Sequence, residues 1–202
     1  MSGKFDLWAY MFRVAVIAAL TWFAHHFQTR YLGFLDLDPH ISVFYIPAGV
    51  ITMSALVSPR AAPIGIFVGA LIGTRLYHPM PELIDDIPLV GVHSLAAFAA
   101  VVLLYWLKSS LSDLFNDDRG LPDIDGIDVF YFCCIYGVIN TSLYQILFAV
   151  DQNYDVKFSM LTTFGMWFGD LTGSFLVFIA LNLGYILLRR VGLFRYQGRI
   201  VE

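Results

Sequence analysis

The stretch FYIPAGVITMSALVSPRAAPIGIFVGALIG, residues 44–73, holds two apolar runs with a single charged residue, Arg60, between them. Ser58-Pro59-Arg60 is a tight turn signal, so the stretch reads as a helical hairpin. Runs of this length suit helices rather than the alternating ~10-residue strands of an outer-membrane barrel. The same texture continues on both sides. Of 202 residues, 58% are hydrophobic, 16% aromatic and 14% charged, with mean hydropathy +0.70. Soluble domains carry about a quarter charged residues. A span needs ~20 apolar residues, and six are predicted: Leu7–Phe27, Ile41–Ser58, Ala61–Tyr77, Pro88–Leu107, Asp128–Val150 and Met160–Leu188. The expected fold is an all-α polytopic bundle of about six transmembrane helices. It forms one domain over 1–202 with a short basic cytoplasmic tail at 189–202. Secreted disulfide scaffolds, disordered tails and cytosolic enzymes are disfavoured.

Charge sets the orientation and limits the partners. With the amino terminus inside, nine of the 12 Lys and Arg residues fall on the cytoplasmic side, among them Lys4, Arg60, Lys108 and Arg189. Arg30, Arg75 and Lys157 fall on the other. The prediction is a multi-pass protein of a bacterial inner membrane with both termini cytoplasmic. The net charge of −4, without a basic patch before the tail, gives no sign of nucleic-acid binding. Trp22, Phe23, His25 and His26 follow the first apolar run where a cleavage site would need small residues, so that run is expected to stay as an anchor. Asp117, Asp118, Asp123 and Asp125 suggest a calcium loop, but no twelfth-position glutamate completes one, and a solvated connector is expected. Cys133 and Cys134 point about 100° apart on a helix and read as inert thiols.

Small residues recur every four positions: Gly65, Gly69 and Gly73 on the third span, Gly169 and Gly173 on the sixth, Ala15 and Ala19 on the first. Such stripes let helices approach closely in lipid, either within the bundle or against a partner subunit. Polar residues within spans face the bundle interior. At ~1.5 Å rise per residue, Asn140 and Asp170 share a depth ~15 Å below the non-cytoplasmic end of their spans. Tyr144, Gln145, His93 and Pro47 lie ~8–9 Å down on the same rise, and Arg75 sits near the rim. Two readings follow: a cavity lined by Asp170, Asn140, Gln145 and His93, or a set of interhelical hydrogen bonds. An intramembrane carboxyl must be neutral, paired or hydrated, and Arg75 and His93 are the expected partners of Asp170. Pro47 within a span would free a backbone carbonyl at that depth.

No His-x-x-x-His or Cys-x-x-Cys-His spacing, Walker loop, Gly-x-Ser-x-Gly or carboxylate dyad occurs, so no metal, no cofactor and no catalysis are expected. Haem held by His93 and one of His25 or His26 is the one redox arrangement left open.

Pro47, Ala48, Gly49, Arg60, Pro63, Gly65 and Gly69 form one motif, and Trp167, Gly169, Asp170 and Gly173, in MWFGDLTGSFLVFIAL, form a second. Taken in order, the two resemble the signatures of the first membrane-associated sensor domain family, which precedes diguanylate cyclases and histidine kinases in many bacteria. Tyr45 and Ala62 stand where that family often has Trp, and no output domain is expected after the last span. The resemblance implies a non-catalytic sensory or scaffolding subunit that binds a small ligand, quinone or lipid and acts through a partner membrane or cytoplasmic protein. The alternatives are a substrate-binding subunit of a vitamin-type importer and an accessory subunit of a membrane redox complex. Oligomeric state is not legible.

Overall fold

The computed structural model describes residues 6–38, 41–77, 83–108, 126–150 and 160–190. Among these are six α-helices: α1 Leu7–Phe27, α2 Ile46–Val57, α3 Ala62–Tyr77, α4 Leu83–Lys108, α5 Gly126–Val150 and α6 Met160–Arg190. Most of the acidic loop, Lys157, the tail beyond Arg190, His40 and His78 lie outside the described residues. The fold is an all-α bundle, and α1, α4, α5 and α6 are long and apolar enough to cross a membrane.

The hairpin departs from prediction. α2 has 12 residues and α3 has 16, so they reach ~18 and ~24 Å against a hydrocarbon core of ~30 Å. The predicted second span began at Ile41, but its first residues are not helical. Asp36–Asp38 (β1) and Ile41–Ser42 (β2) form a small antiparallel ribbon. Ahead of it, α1 widens into a π-helical turn over Gln28–Leu32 and tightens into a 3-10 turn over Gly33–Leu35. The connection from Gln28 to Tyr45 therefore forms a strap across one end of the bundle. Pro47 lies in the first turn of α2, where its missing N–H costs nothing, rather than inside a span. Pro88, expected to open the fourth span, lies inside α4 because that helix begins at Leu83.

Packing runs in a ring, α1 on α3, α3 on α4, α4 on α5, α5 on α6, α6 on α2 and α2 on α1, with α2 also touching α4 and α5. Small side chains make this possible. The core is rich in alanine, with Ala48, Ala55, Ala70, Ala96 and Ala100 fully buried around Ile51, Ile66, Phe132 and Tyr136. The outer surface carries the bulky apolar residues, such as Trp8 at 85% exposure, with Phe12, Leu95, Ile146 and Leu183. Small inside and bulky outside suits a bundle whose solvent is lipid, where tight packing replaces hydrophobic drive.

Glycines set two of the contacts. A Cβ on Gly69 would lie 2.4 Å from the Ala18 carbonyl oxygen, one on Gly65 would meet Ile17, and one on Gly73 would meet His25. The third-span stripe thus seats α1, through its buried Val14, Ile17, Ala18, Thr21 and Ala24. Ala15 and Ala19 face outward. On α6 the glycines receive non-helical backbone: a Cβ on Gly169 would lie 1.9 Å from the Ser42 carbonyl oxygen, and one on Gly173 2.0 Å from that of Tyr45. Both stripes are used inside the chain.

Candidate functional site

The strap end of the bundle holds a half-open cavity of about 120 Å³. Gln28, from the π turn of α1, organises its roof. Its Oε1 accepts the Ile46 N–H at 3.2 Å, while Nε2 donates to Ser42 Oγ at 3.0 Å and Asp36 Oδ1 at 3.3 Å. Tyr45, the residue before α2, makes no side-chain cap, so Gln28 satisfies an N–H that the helix start leaves open. Tyr45 N–H donates to the Gly169 carbonyl at 3.1 Å and Thr172 Oγ1 donates to that of Val43 at 2.7 Å. These bonds tie the strap to α6 and satisfy its irregular backbone. A π turn beside a cavity is a common mark of a functional site.

His93 of α4 forms the centre. Its Nε2 meets the hydroxyls of Tyr144 at 2.9 Å and Tyr45 at 3.1 Å, and its Nδ1 faces the Tyr136 hydroxyl at 3.4 Å. Tyr45 stacks on the His93 ring at 22°, and His25 from α1 lies 5.8 Å from it, centroid to centroid. The Tyr144 hydroxyl also reaches the Leu89 carbonyl at 3.0 Å. Opposite, Asn140 of α5 donates its amide to Asp170 Oδ2 of α6 at 2.8 Å. Asn140 is 2% exposed and Asp170 3% exposed. Asn140 Oδ1 is buried and completes no hydrogen bond of normal geometry among the described residues. Leu89, Val90 and Met166 supply the apolar wall.

The cavity thus contains His93, Asn140 and Asp170 from the sequence reading, together with His25 and Tyr144. Others lie elsewhere. Gln145 does not line the cavity; among the described residues its Nε2 meets Met166 Sδ at 3.9 Å. Arg75 does not reach Asp170; its Nε pairs with Asp86 Oδ2 at 3.0 Å, and Asp86 is fully buried. The prediction missed this because Asp86 fell before the expected start at Pro88, which hid the carboxylate nearest in depth to Arg75. Trp167 packs over Gly137, whose added Cβ would lie 3.0 Å from the indole Cδ1, and its Nε1 is buried without a hydrogen bond among the described residues. Pro47 is buried where α2 begins, below the strap. The glycines Gly65, Gly69, Gly73, Gly169 and Gly173 serve packing and do not line the cavity.

Gln28, Tyr45, Asp36 and Ser42 were missed. Only the one-residue departure of Tyr45 from the family pattern pointed at any of them; the others act through a strap that has no periodicity to read. Chemically, the site offers acceptors, aromatic faces and one deeply buried carboxyl. Among the described residues no group of three or more His, Cys, Asp or Glu is arranged for a metal ion. Both ring nitrogens of His93 are engaged by tyrosines, so a haem iron would have to displace them. Cys133 is buried, Cys134 is half-buried, and both are unbridged. Compared with protein-family models, curated proteins and solved structures, the chain has no match.

Proposed function

We propose that this chain is a non-catalytic sensory or scaffolding subunit of a bacterial inner membrane, binding a small ligand at its non-cytoplasmic end and acting through a partner protein. The single observation behind this reading is the strap-covered cavity around Asp170 and Asn140. Spending a buried carboxyl, an amide and two tyrosine hydroxyls on one hollow is costly in lipid unless the hollow has a use. Positive charges at the opposite end support an orientation with the strap outside. The resemblance of the two motifs to the membrane-associated sensor domain supports a signalling role, and in the second motif Asp170 lines the cavity while Gly169 and Gly173 seat the strap over it. Gentle purification from native membranes followed by native mass spectrometry tests the reading. A ligand or lipid mass retained by the wild type and lost in Met166→Trp, which fills the cavity, is the expected result. Identical adducts in both would remove the cavity from the function.

A second reading draws on α1. Ala15 and Ala19 are exposed rather than packed on α3, leaving a small-residue face of the type an importer's substrate-binding subunit offers to its transport partner. Co-purification of an ATPase pair, lost in Ala19→Leu, would favour it.

A further inference from the structure

The lining of the cavity is one-sided in charge. Asp170 lies at its inner wall and Asp36 at its half-buried rim, while among the described residues no Lys or Arg lines it. Asn140 spends its amide on Asp170 and turns Oδ1 toward the His93 ring without a hydrogen bond of full geometry, and the tyrosine hydroxyls around His93 already have partners. The hollow sets a carboxyl and an amide oxygen among aromatic rings, with Thr29, Thr74 and His25 also in its wall. An anion would meet repulsion here, and a neutral apolar guest would add no donor to the buried carboxyl. A hard metal cation needs six or more oxygen ligands, whereas this wall includes Leu89, Val90 and Met166.

We propose that the cavity binds a small organic ammonium, held by Asp170 and Asn140 Oδ1 with its carbon skeleton against Tyr45, Tyr144 and Met166. The claim rests on the ligand-binding reading above and names the chemistry of that ligand. An ammonium donates up to three hydrogen bonds and meets ring faces favourably as a cation. Asp36, above the hollow and held by Gln28 Nε2, adds attraction at the mouth. The space, about 120 Å³, suits a head of a few heavy atoms rather than a drug-sized molecule. A free amine and the ethanolamine head of a phospholipid share this chemistry.

Thermal melting and calorimetric titration of the purified full chain with ethylammonium, against size-matched 1-propanol, test it. Ethylammonium raises the melting temperature and 1-propanol does not. Asp170→Asn, nearly isosteric, weakens ethylammonium by about tenfold or more, and the half-buried rim change Asp36→Asn weakens it by about twofold with the fold intact. Nanodiscs of phosphatidylglycerol alone or with phosphatidylethanolamine separate the sources. Loss of the ethylammonium response in the second disc identifies the lipid head, and an unchanged response identifies a free amine. Equal responses to ethylammonium and 1-propanol, or a response unaltered by both Asp variants, overturns the proposal. A different adduct lost in Met166→Trp would then leave the cavity's role standing with another ligand, whereas adducts unchanged in Met166→Trp would remove the cavity's role as well.

Discussion

Asn140 and Asp170 hold each other at 2.8 Å from two helices, and the depth arithmetic that placed them level needed only the regular rise of α5 and α6. Replacing Asn140 by Leu removes the amide that Asp170 accepts from and leaves a buried carboxyl without its donor. The expected cost is about 1–3 kcal/mol, read as a lower melting temperature in detergent. Gln145→Leu, one turn away, loses only a weak contact to sulfur and should melt close to the wild type. Equal losses would mean that depth alone, not this pair, matters. Arg75 shows where such arithmetic fails. Its expected partner was Asp170, but partner choice depended on a helix start that Pro88 obscured, and Asp86 took the arginine. Gln28 was illegible for another reason. It sits at the end of an apolar helix, and its three hydrogen bonds go to strap backbone and side chains that no period announces. Gln28→Ala should free the Ile46 N–H and loosen the strap, seen as faster amide hydrogen exchange at residues 42–46 with α3 unaffected. Unchanged exchange at those residues would contradict its role as a latch.

Among the elements, the long apolar helices were legible from hydropathy, whereas α2 was overextended. Ile41 to Tyr45 is apolar enough to continue a helix, yet Ser42 and Tyr45 place their carbonyl oxygens against Gly169 and Gly173, and that docking holds the segment extended. The glycine stripes were visible in the sequence, but what they receive was not: α3 takes a helix and α6 takes irregular backbone. Gly69→Ala and Gly173→Ala both force backbone apart and should cost about 1–3 kcal/mol. Only Gly173→Ala should also perturb the cavity, because it displaces Tyr45. Gly91→Ala meets open space in the middle of α4 and should be neutral or stabilising by up to about 1 kcal/mol. Melting curves of the three variants check the order, and a destabilised Gly91→Ala would count against the packing described.

For the molecule as a whole, the account joins an alanine-rich core, a lipid-facing rim and a strap that roofs a hollow at one end. Composition was enough for the bundle and the positive-inside bias for its proposed orientation. The cavity was legible as a depth coincidence but not as a roofed space, because its roof is made of the segment misread as helix. Cysteine accessibility brings these parts together. In a Cys133→Ala, Cys134→Ala background, Met166→Cys lines the cavity, and Ile179→Cys faces outward from α6 at 57% exposure. With intact cells, the account predicts that a small membrane-impermeant thiosulfonate labels Met166→Cys from outside, that a bulky maleimide does not, and that Ile179→Cys stays unlabelled in lipid. Labelling of Met166→Cys only from the cytoplasmic side, or by neither reagent from either side, would contradict a strap-covered hollow at the non-cytoplasmic end.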